Sequence, residues 1–239
     1  MSRSLESQVQ VIIPARMESQ RFPGKPLHMI GDKTLLMWTY QQAKKGFDDV
    51  TVLTADEDIV MHCKYFGMKC HWMDVPAPNG SHRIAAYVAE HPDNFKSIII
   101  NWQVDEPLVD PSYVKAMTGI AQGISTLVVP IDNYRSELFE DYDVPKVVMS
   151  GSRCHWFSRA PMRGALAHCG VYAIGKHPLI WLAQRKFEVT PYAKAESLEQ
   201  LQWIESGLFE VHAMQMPELP IAINTKSDAE QMAEMMKDN

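Results

Sequence analysis

The chain has 239 residues, enough for one substantial hydrophobic core and close to the upper limit for a single domain. Its formal net charge is −6, which gives no support for general nucleic-acid binding, because that function usually needs a basic surface. No apolar run approaches the length of about 18 residues that a membrane span requires. The four cysteines form no C-x-x-C pair and nothing resembles a signal peptide, so we expect reduced thiols and a cytoplasmic location.

The first half of the chain alternates between short apolar runs and amphipathic segments. Val11 to Ile13 is a β-branched run that ends at Pro14, which is typical of a buried strand in a parallel sheet. The patterns that follow predict a helix over 34–43, a strand over 50–54, a helix opening near residue 56, a strand over 68–72, a helix over 84–90 and a strand over 97–101. Strand and helix in alternation predict a Rossmann-like α/β domain whose sheet is covered on both faces.

The second half contains less regular patterns. They predict a strand over 126–130, a hairpin made by 146–149 and 154–157, a short helix over 179–185, a longer helix over 196–206, a strand over 211–216, a last strand over 221–224 and a terminal helix. Leu198, Leu201 and Ile204 share one face of the longer helix, and Gly207 is expected to end it.

A basic loop follows the first strand. Arg16, Arg21 and Lys25 lie within ten residues of one another, and Pro23-Gly24 predicts a turn just before Lys25. Ligands of open α/β sheets bind beyond the carboxyl ends of the strands, and such cations hold phosphate oxygens, so the loop could seat a triphosphate. The alternative is an ordinary solvated loop. Neither the P-loop pattern nor the dinucleotide-binding pattern is present.

Five motifs resemble those of one enzyme family. Pro14 to Leu27 reads P-A-R-x-x-S-x-R-x-P-G-K-P-L, which resembles the opening of the CMP-KDO synthetases, the 3-deoxy-manno-octulosonate cytidylyltransferases. Four further stretches are similar to this family's N-x-Q-G-D-E-P, F-S-R-A-P, H-x-G-x-Y and E-S-L-E-Q-L motifs and occur in the same order, at 101–107, 157–161, 168–172 and 196–201.

This resemblance implies a three-layer Rossmann-like α/β fold of the nucleotide-diphospho-sugar transferase type, with a mostly parallel mixed sheet. It implies a single nucleotidyltransferase domain over 1–239, in which about 8–130 bind the nucleotide and 131–239 bind the acceptor and form a homodimer. The implied reaction couples CTP, or another pyrimidine nucleotide, to a KDO-like sugar acid and releases pyrophosphate. Mg²⁺ is the implied cofactor, and neither nucleic acid nor a membrane is an expected partner.

The resemblance also implies site residues. The catalytic candidates are Arg16, Lys25 and Asp105, and the nucleotide-binding candidates are Pro14, Ala15, Arg16, Ser19, Arg21, Lys25, Asn79, Gly80, Arg83 and Gln103. The acceptor candidates are Gln103, Arg159, Arg163, His168, Tyr172, Glu199 and Gln200, and the metal candidates are Asp105 and Asn224. Without the resemblance, Asp105-Glu106-Pro107 could simply cap the next helix.

Four features depart from the family pattern. Val104 stands where the family has Gly, and His82 replaces an acid in the motif N-G-S-H-R. The link over 162–167 is shorter than the family's loop near the sugar. Asn224 replaces an aspartate that holds metal, and an amide offers an oxygen ligand but no negative charge.

These departures leave two other interpretations open. A sugar phosphate is already an anion near neutral pH and needs no metal-assisted deprotonation, so Asn224 with nearby Lys146, Arg159, Arg163 and His168 is compatible with a phosphorylated acceptor. Alternatively, the chain could be a nucleotide-binding homologue that has lost turnover.

Overall fold

The structure is a computed structural model that describes residues 8–19, 21–91, 95–120, 123–131 and 136–237. The predicted boundary between the two halves, near 130, adjoins residues 132–135, which lie outside the described residues. Among the helices that the structure describes, none is long and apolar enough to cross a membrane.

The described residues form strands and helices that largely follow the predicted order. The strands are β1 (Val9–Pro14), β2 (Met29–Ile30), β3 (Lys33–Thr34), β4 (Val50–Thr54), β5 (Cys70–Trp72), β6 (Ile98–Trp102), β7 (Ile124–Pro130), β8 (Lys146–Ser150), β9 (Arg153–Ser158), β10 (Leu166–Gly175) and β11 (Val211–Gln215). The helices are α1 (Leu35–Lys44), α2 (Glu57–Tyr65), α3 (Gly80–Glu90), α4 (Pro111–Thr118), α5 (Ser136–Glu140), α6 (Lys176–Gln184), α7 (Pro191–Glu196), α8 (Leu201–Ser206) and α9 (Lys226–Met235).

One mixed sheet runs through the described part of the chain, in the order β5-β4-β1-β6-β10-β7-β11-β9-β8. The first four strands pair in parallel, as the alternation of strand and helix predicts. Strand β10 is antiparallel to both β6 and β7, and antiparallel pairing continues in the hairpin of β8 and β9. The fold is therefore a Rossmann-like α/β fold whose parallel part holds the basic loop and whose second half is mainly antiparallel.

The sheet is covered on both faces. Because successive side chains of a strand point to opposite faces, Val11 and Ile13 of β1 pack into one hydrophobic cluster and Ile12 packs into the other. A smaller cluster contains Phe22 of the basic loop and Ile223, which precedes α9. This cluster fixes the loop against the C-terminal part of the chain, so both reach the same edge of the sheet.

Helix α3 begins earlier than predicted. The sequence predicts a helix from residue 84, but the helix starts at Gly80 because the Asn79 side chain caps it, accepting a hydrogen bond from the backbone N–H of His82 at 3.0 Å. The N-G-S-H-R motif is therefore the N-cap and first turn of a helix, whereas we predicted a loop.

Three other predictions were wrong or incomplete. Of the predicted helix over 196–206, only α8 and the last residue of α7 are helical, because Ser197 adopts a left-handed conformation with φ of 54°; the rest of α7 was not predicted. The predicted strand over 221–224 is not a strand; it contacts the segment after β6 through one backbone hydrogen bond, from Ile223 N to Asp105 O at 2.8 Å. Strand β10 was not predicted, since its polar His168 and small Gly170 interrupt the apolar pattern.

Candidate active site

A cleft of about 1410 Å³ lies at the carboxyl ends of the parallel strands. It is lined by the basic loop, the start of α3, the segment after β6 and residues from the second half of the sheet. The predicted site residues that line it are Pro14, Ala15, Arg16, Ser19, Arg21, Lys25, Asn79, Gly80, Arg83, Gln103, Asp105, Arg159, His168, Tyr172, Glu199, Gln200 and Asn224. Arg163 is exposed on the turn after β9 and is not among the described residues that line the cleft.

The basic loop folds back on itself at Gly24. Gly24 has a φ of 73°, which is left-handed backbone that favours glycine, and its N–H donates to Met17 O at 3.0 Å. The N–H of Met17 in turn donates to the Asp56 carboxylate at 3.1 Å, just before α2. These contacts hold the loop over the end of β1 and turn Lys25 into the cleft.

Lys25 and Asp105 form the central ion pair of the cleft. Their Nζ and Oδ2 atoms are 2.7 Å apart, and the two side chains are only 11% and 21% exposed. A charge-assisted hydrogen bond of this length, largely shielded from water, is stronger than a surface pair. It joins the basic loop to the end of β6, two segments 80 positions apart in the sequence.

Asn224 lies beside this pair and is oriented by the start of α9. The Asp228 carboxylate accepts from the N–H groups of Asn224 and Thr225 at 2.8 and 2.7 Å, and the Thr225 hydroxyl caps the helix in return. The Asn224 side-chain oxygen accepts from Arg21 at 3.1 Å. The amide is therefore already committed to a cation of the basic loop.

The N-terminus of α3 faces the cleft from the other side. Gly80 allows this approach, because a Cβ at that position would lie 2.8 Å from the Pro14 ring. The Arg83 side chain reaches Met73 O at 3.2 Å, and burial, with a contribution from Arg16, lowers the pKa of its guanidinium. His82 is buried behind the first turn, so it is a structural residue of the helix.

Glu199 organises the polar floor of the cleft, which is the cluster that it forms with Ser81, Asn101 and Gln103. Its carboxylate accepts from the N–H of Ser81 at 3.1 Å, from Asn101 Nδ2 at 3.4 Å and from Gln103 Nε2 at 3.2 Å. Burial raises the pKa of this carboxyl group. The segment between α7 and α8 is thereby tied to α3 and to β6. Glu199 is thus part of the cleft and is not on a solvated helix face.

Glu106 is a buried carboxyl group that our sequence analysis considered only as a possible helix cap. It accepts from the N–H of Gly170 at 2.7 Å, while α4 is capped by Asp110. Burial, together with the neighbouring charge of Asp105, raises the pKa of Glu106 to about 8. Its place next to Asp105 in the D-E-P motif was the one signal that could have identified it.

His168 and Tyr172, both on β10, form an inner wall of the cleft. The His168 ring lies 2.9 Å from the Thr126 hydroxyl, and burial lowers the pKa of His168 to about 3, so the ring is neutral. The Tyr172 hydroxyl donates to Gln200 Oε1 at 3.2 Å. This wall therefore presents uncharged hydrogen-bonding groups to the cleft.

Arg159 reaches the cleft but is held by several acceptors. Its backbone N–H donates to the Glu196 carboxylate at 2.9 Å, its Nε donates to Glu196 O at 3.0 Å and its Nη1 donates to Tyr142 O at 3.0 Å. Glu196 was in the quoted E-S-L-E-Q-L motif but was not predicted as a site residue. No sequence signal pointed to Tyr142 or to Asp143, since neither lies in a recognised motif.

The chain is similar to cytidylyltransferases of known sequence and structure. The cytidylyltransferase family matches residues 10–216. The 3-deoxy-manno-octulosonate cytidylyltransferase of Myxococcus xanthus is 31% identical over 95% of both chains, and that of Acinetobacter baumannii is 31% identical over 94% of this chain and 96% of its own. A CMP:2-keto-3-deoxy-manno-octonic acid synthetase solved in complex with CTP superposes with a TM-score of 0.85 at 26% identity, over 97% of this chain and 99% of its own.

More distant structures share the fold. A putative glucose-1-phosphate thymidylyltransferase from Bacillus anthracis has a TM-score of 0.67 at 15% identity, covering 97% of this chain and 96% of its own. The family match spans most of the chain and includes the basic loop, the Lys25–Asp105 pair and the polar floor. The chain therefore belongs to the cytidylyltransferase family of nucleotidyltransferases.

Proposed function

We propose that the chain transfers the cytidylyl group of CTP to a KDO-like sugar acid, giving a CMP-sugar and pyrophosphate. The observation that carries this proposal is the Lys25–Asp105 pair, which brings a phosphate-binding cation and a metal-binding carboxylate together between the basic loop and the polar floor. The names of the curated relatives and of the CTP-bound structure support both substrates.

In the proposed reaction, an oxygen of the acceptor attacks the α-phosphorus of CTP and pyrophosphate leaves on the opposite side. Arg16, Arg21 and Lys25 would stabilise the negative charge that develops on the phosphates, and preorganised charges of this kind are a protein's main contribution to phosphoryl transfer. The start of α3 and Arg83 would lie along the nucleoside.

The residues of the cleft fit a magnesium ion. Mg²⁺ is usually bound by one or two carboxylates together with substrate phosphates and water, and Asp105 provides such a carboxylate beside the proposed phosphate site. Among the described residues, no group of three or more His, Cys, Asp or Glu side chains is arranged for a metal, so substrate oxygens would complete the shell. When bound, the ion supplies Lewis acidity and neutralises phosphate charge. Asn224 could contribute a neutral oxygen only after releasing Arg21.

The acceptor side suits a hydroxylated sugar better than a sugar phosphate. Two of the cations that suggested a phosphate site are engaged elsewhere: Arg159 binds Glu196 and backbone carbonyls, and buried Lys146 donates to Asp141 O and to Arg159 O. Arg163 lies outside the lining of the cleft, and His168 is neutral. Gln103 and Glu199, which line the cleft and are only partly buried, would instead bind hydroxyls, with the buried Tyr172 and Gln200 behind them.

A parallel pyrophosphate-release assay tests this proposal. CTP and Mg²⁺ are incubated with free KDO, with arabinose 5-phosphate and other sugar phosphates, and without an acceptor. We expect turnover with KDO. The variant Asp105→Asn should lose activity by about 100-fold or more while remaining folded, because its backbone contact to Ile223 N is kept.

Two outcomes would favour the other interpretations. Turnover with a sugar phosphate and none with KDO would reassign the acceptor. A rise in thermal stability with CTP, but no pyrophosphate with any acceptor, would indicate a nucleotide-binding homologue without turnover. The expected homodimer and the cytoplasmic location belong to the same proposal. Sedimentation of the purified protein tests whether it is a homodimer.

A further inference from the structure

Arg21 connects the two sides of the cleft. Its Nη1 forms an ion pair with the Asp143 carboxylate, and its Nη2 donates to Asn224 Oδ1 at 3.1 Å. All three residues line the cleft. Arg21 belongs to the basic loop of the first half, whereas Asp143 lies in the second half, between α5 and β8. The Arg21–Asp143 ion pair therefore bridges the two sides of the cleft, across an opening that we call the mouth of the cleft.

Asp143 is part of a well-anchored segment of the acceptor side. Its N–H donates to Asp141 Oδ1 at 2.8 Å, and Arg159 donates to Tyr142 O at 3.0 Å while lying 5.5 Å from the Tyr142 ring centre. The Asp141 carbonyl accepts from Lys146. Because these contacts fix the segment independently of Arg21, the Asp143 carboxylate has a defined position whether or not Arg21 is bound to it.

We propose that Asp143 is a positioning residue that holds Arg21 away from the nucleotide, so that a triphosphate must take Arg21 from it on binding. This inference rests on the proposed function. Arg21 belongs to the first of the five motifs, whereas Asp143 belongs to none of them.

Charge decides the direction of the effect. A triphosphate and the Asp143 carboxylate are both anions, so they repel each other and compete for the same guanidinium. The side chains of Arg21 and Asp143 are 46% and 39% exposed, so water and salt screen the pair and its rupture by a multiply charged ligand costs little. Binding of the triphosphate should therefore open this bridge and free the mouth of the cleft for the acceptor.

The test compares Asp143→Asn with wild type by calorimetric titration of CTP and of cytidine. The variant should bind CTP about two- to fivefold more tightly, the range that an exposed ion pair accounts for. Its affinity for cytidine should be unchanged, because cytidine has no phosphate to recruit Arg21. The KM for CTP should fall more than kcat changes. Glu140→Gln is the matched control, because it removes one exposed negative charge from the preceding helix.

A second comparison shows whether the effect passes through Arg21. In an Arg21→Ala background, Asp143→Asn should no longer change the affinity for CTP. Equal CTP affinity of wild type and Asp143→Asn would overturn the inference, as would a parallel change in cytidine affinity. If folded wild-type protein binds no CTP at all, the proposed function fails instead.

Discussion

Glu106 is a buried and Glu199 a partly buried carboxyl group of the cleft. Each accepts hydrogen bonds from backbone or amide N–H groups, and burial raises the pKa of both. They therefore orient Gly170, Ser81 and Gln103 around the cleft and contribute little free charge to it. The charges that face the proposed phosphates come from the basic loop, in which Arg16 and Arg21 are exposed and Lys25 is buried.

Gly170 is closely surrounded by two of these side chains, Gln103 and Glu106. An added Cβ would lie 2.8 Å from Gln103 Oε1 and 2.9 Å from Glu106 Oε1, and Glu106 is itself held by the Gly170 N–H. We expect Gly170→Ala to lower the free energy of unfolding by about 1–3 kcal/mol and to displace Gln103, with loss of acceptor turnover. Urea unfolding and the pyrophosphate assay measure the two effects.

A control for this variant is Gly119→Ala at the end of α4. A Cβ there would meet its nearest atom, Ala116 O, at 3.4 Å, and the backbone φ of −70° suits alanine. This variant should keep full activity. A Gly170→Ala protein as active and as stable as the Gly119→Ala protein would show that Gln103 and Glu106 can move aside without consequence.

His82 makes the stability of the fold depend on pH. Burial lowers the pKa of His82 from its ordinary value of 6.5 to about 4. As the pH falls below 6.5, the unfolded chain binds a proton that the folded protein does not take up until about pH 4. Stability is therefore lost as the pH falls through this window, by about 1.4 kcal/mol per pH unit for one such group.

Urea unfolding near neutral and near pH 5 tests this expectation. Other groups titrate in the same range, so the comparison is between wild type and His82→Asn. Between about pH 7 and about pH 5, wild type should lose about 2 kcal/mol more of its unfolding free energy than the variant loses. Identical pH dependence of the two proteins would mean that folding leaves the pKa of His82 unchanged.

The sequence predicted residue types at the site better than it predicted their partners. Lys25 and Asp105 both follow buried parallel strands, so their convergence on one edge of the sheet could be expected from topology. The contacts of Asn224 with Arg21 and of Arg159 with Glu196 could not be expected in this way. Each joins two distant segments of the chain, and the spacing of motifs in the sequence does not determine where such segments lie relative to each other.

At the scale of elements, predictions succeeded where one physical pattern dominated. The strand over 50–54 was predicted with its observed bounds, because its five consecutive residues are all β-branched or apolar and all are buried. The helix over 196–206 failed because tertiary contacts override its amphipathic pattern: the Glu196 carboxylate binds Ser158 and Arg159, and the backbone turns at Ser197. The segment over 221–224 has strand-like composition, but within the described part of the chain it makes a single backbone hydrogen bond to another segment, from Ile223 N to Asp105 O, and so it forms no ladder.

Helix α9 places Asn224 through its capping box. Asp228→Ala removes the acceptor for the N–H groups of Asn224 and Thr225, and we expect it to lower the unfolding free energy by about 1 kcal/mol. Because Asn224 holds Arg21, the KM for CTP should also change. Glu230→Ala, at an exposed position of the same helix, is the control. An equal loss of stability in both variants would show that the cap contributes no more than one exposed negative charge of the helix does.

At the scale of the whole molecule, β10 makes the two halves one structure. It pairs with β6 of the parallel part over five residues and with β7 of the second half over seven, and it also carries His168, Gly170 and Tyr172 to the cleft. A chain divided into independent units would need a boundary that few contacts cross. Here the sheet itself crosses the boundary.

This topology predicts that the protein unfolds as a single cooperative unit. Trp102 and Trp203 are fully buried in different halves, so tryptophan fluorescence reports on both, while far-UV circular dichroism reports on all helices and strands. The two urea transitions should coincide. CTP at about 100 times its Kd should shift both transitions together, by about 2.7 kcal/mol, because it binds only the complete cleft. Separate transitions, with only the first half stabilised by CTP, would instead show that the two halves fold independently and that β10 does not couple them.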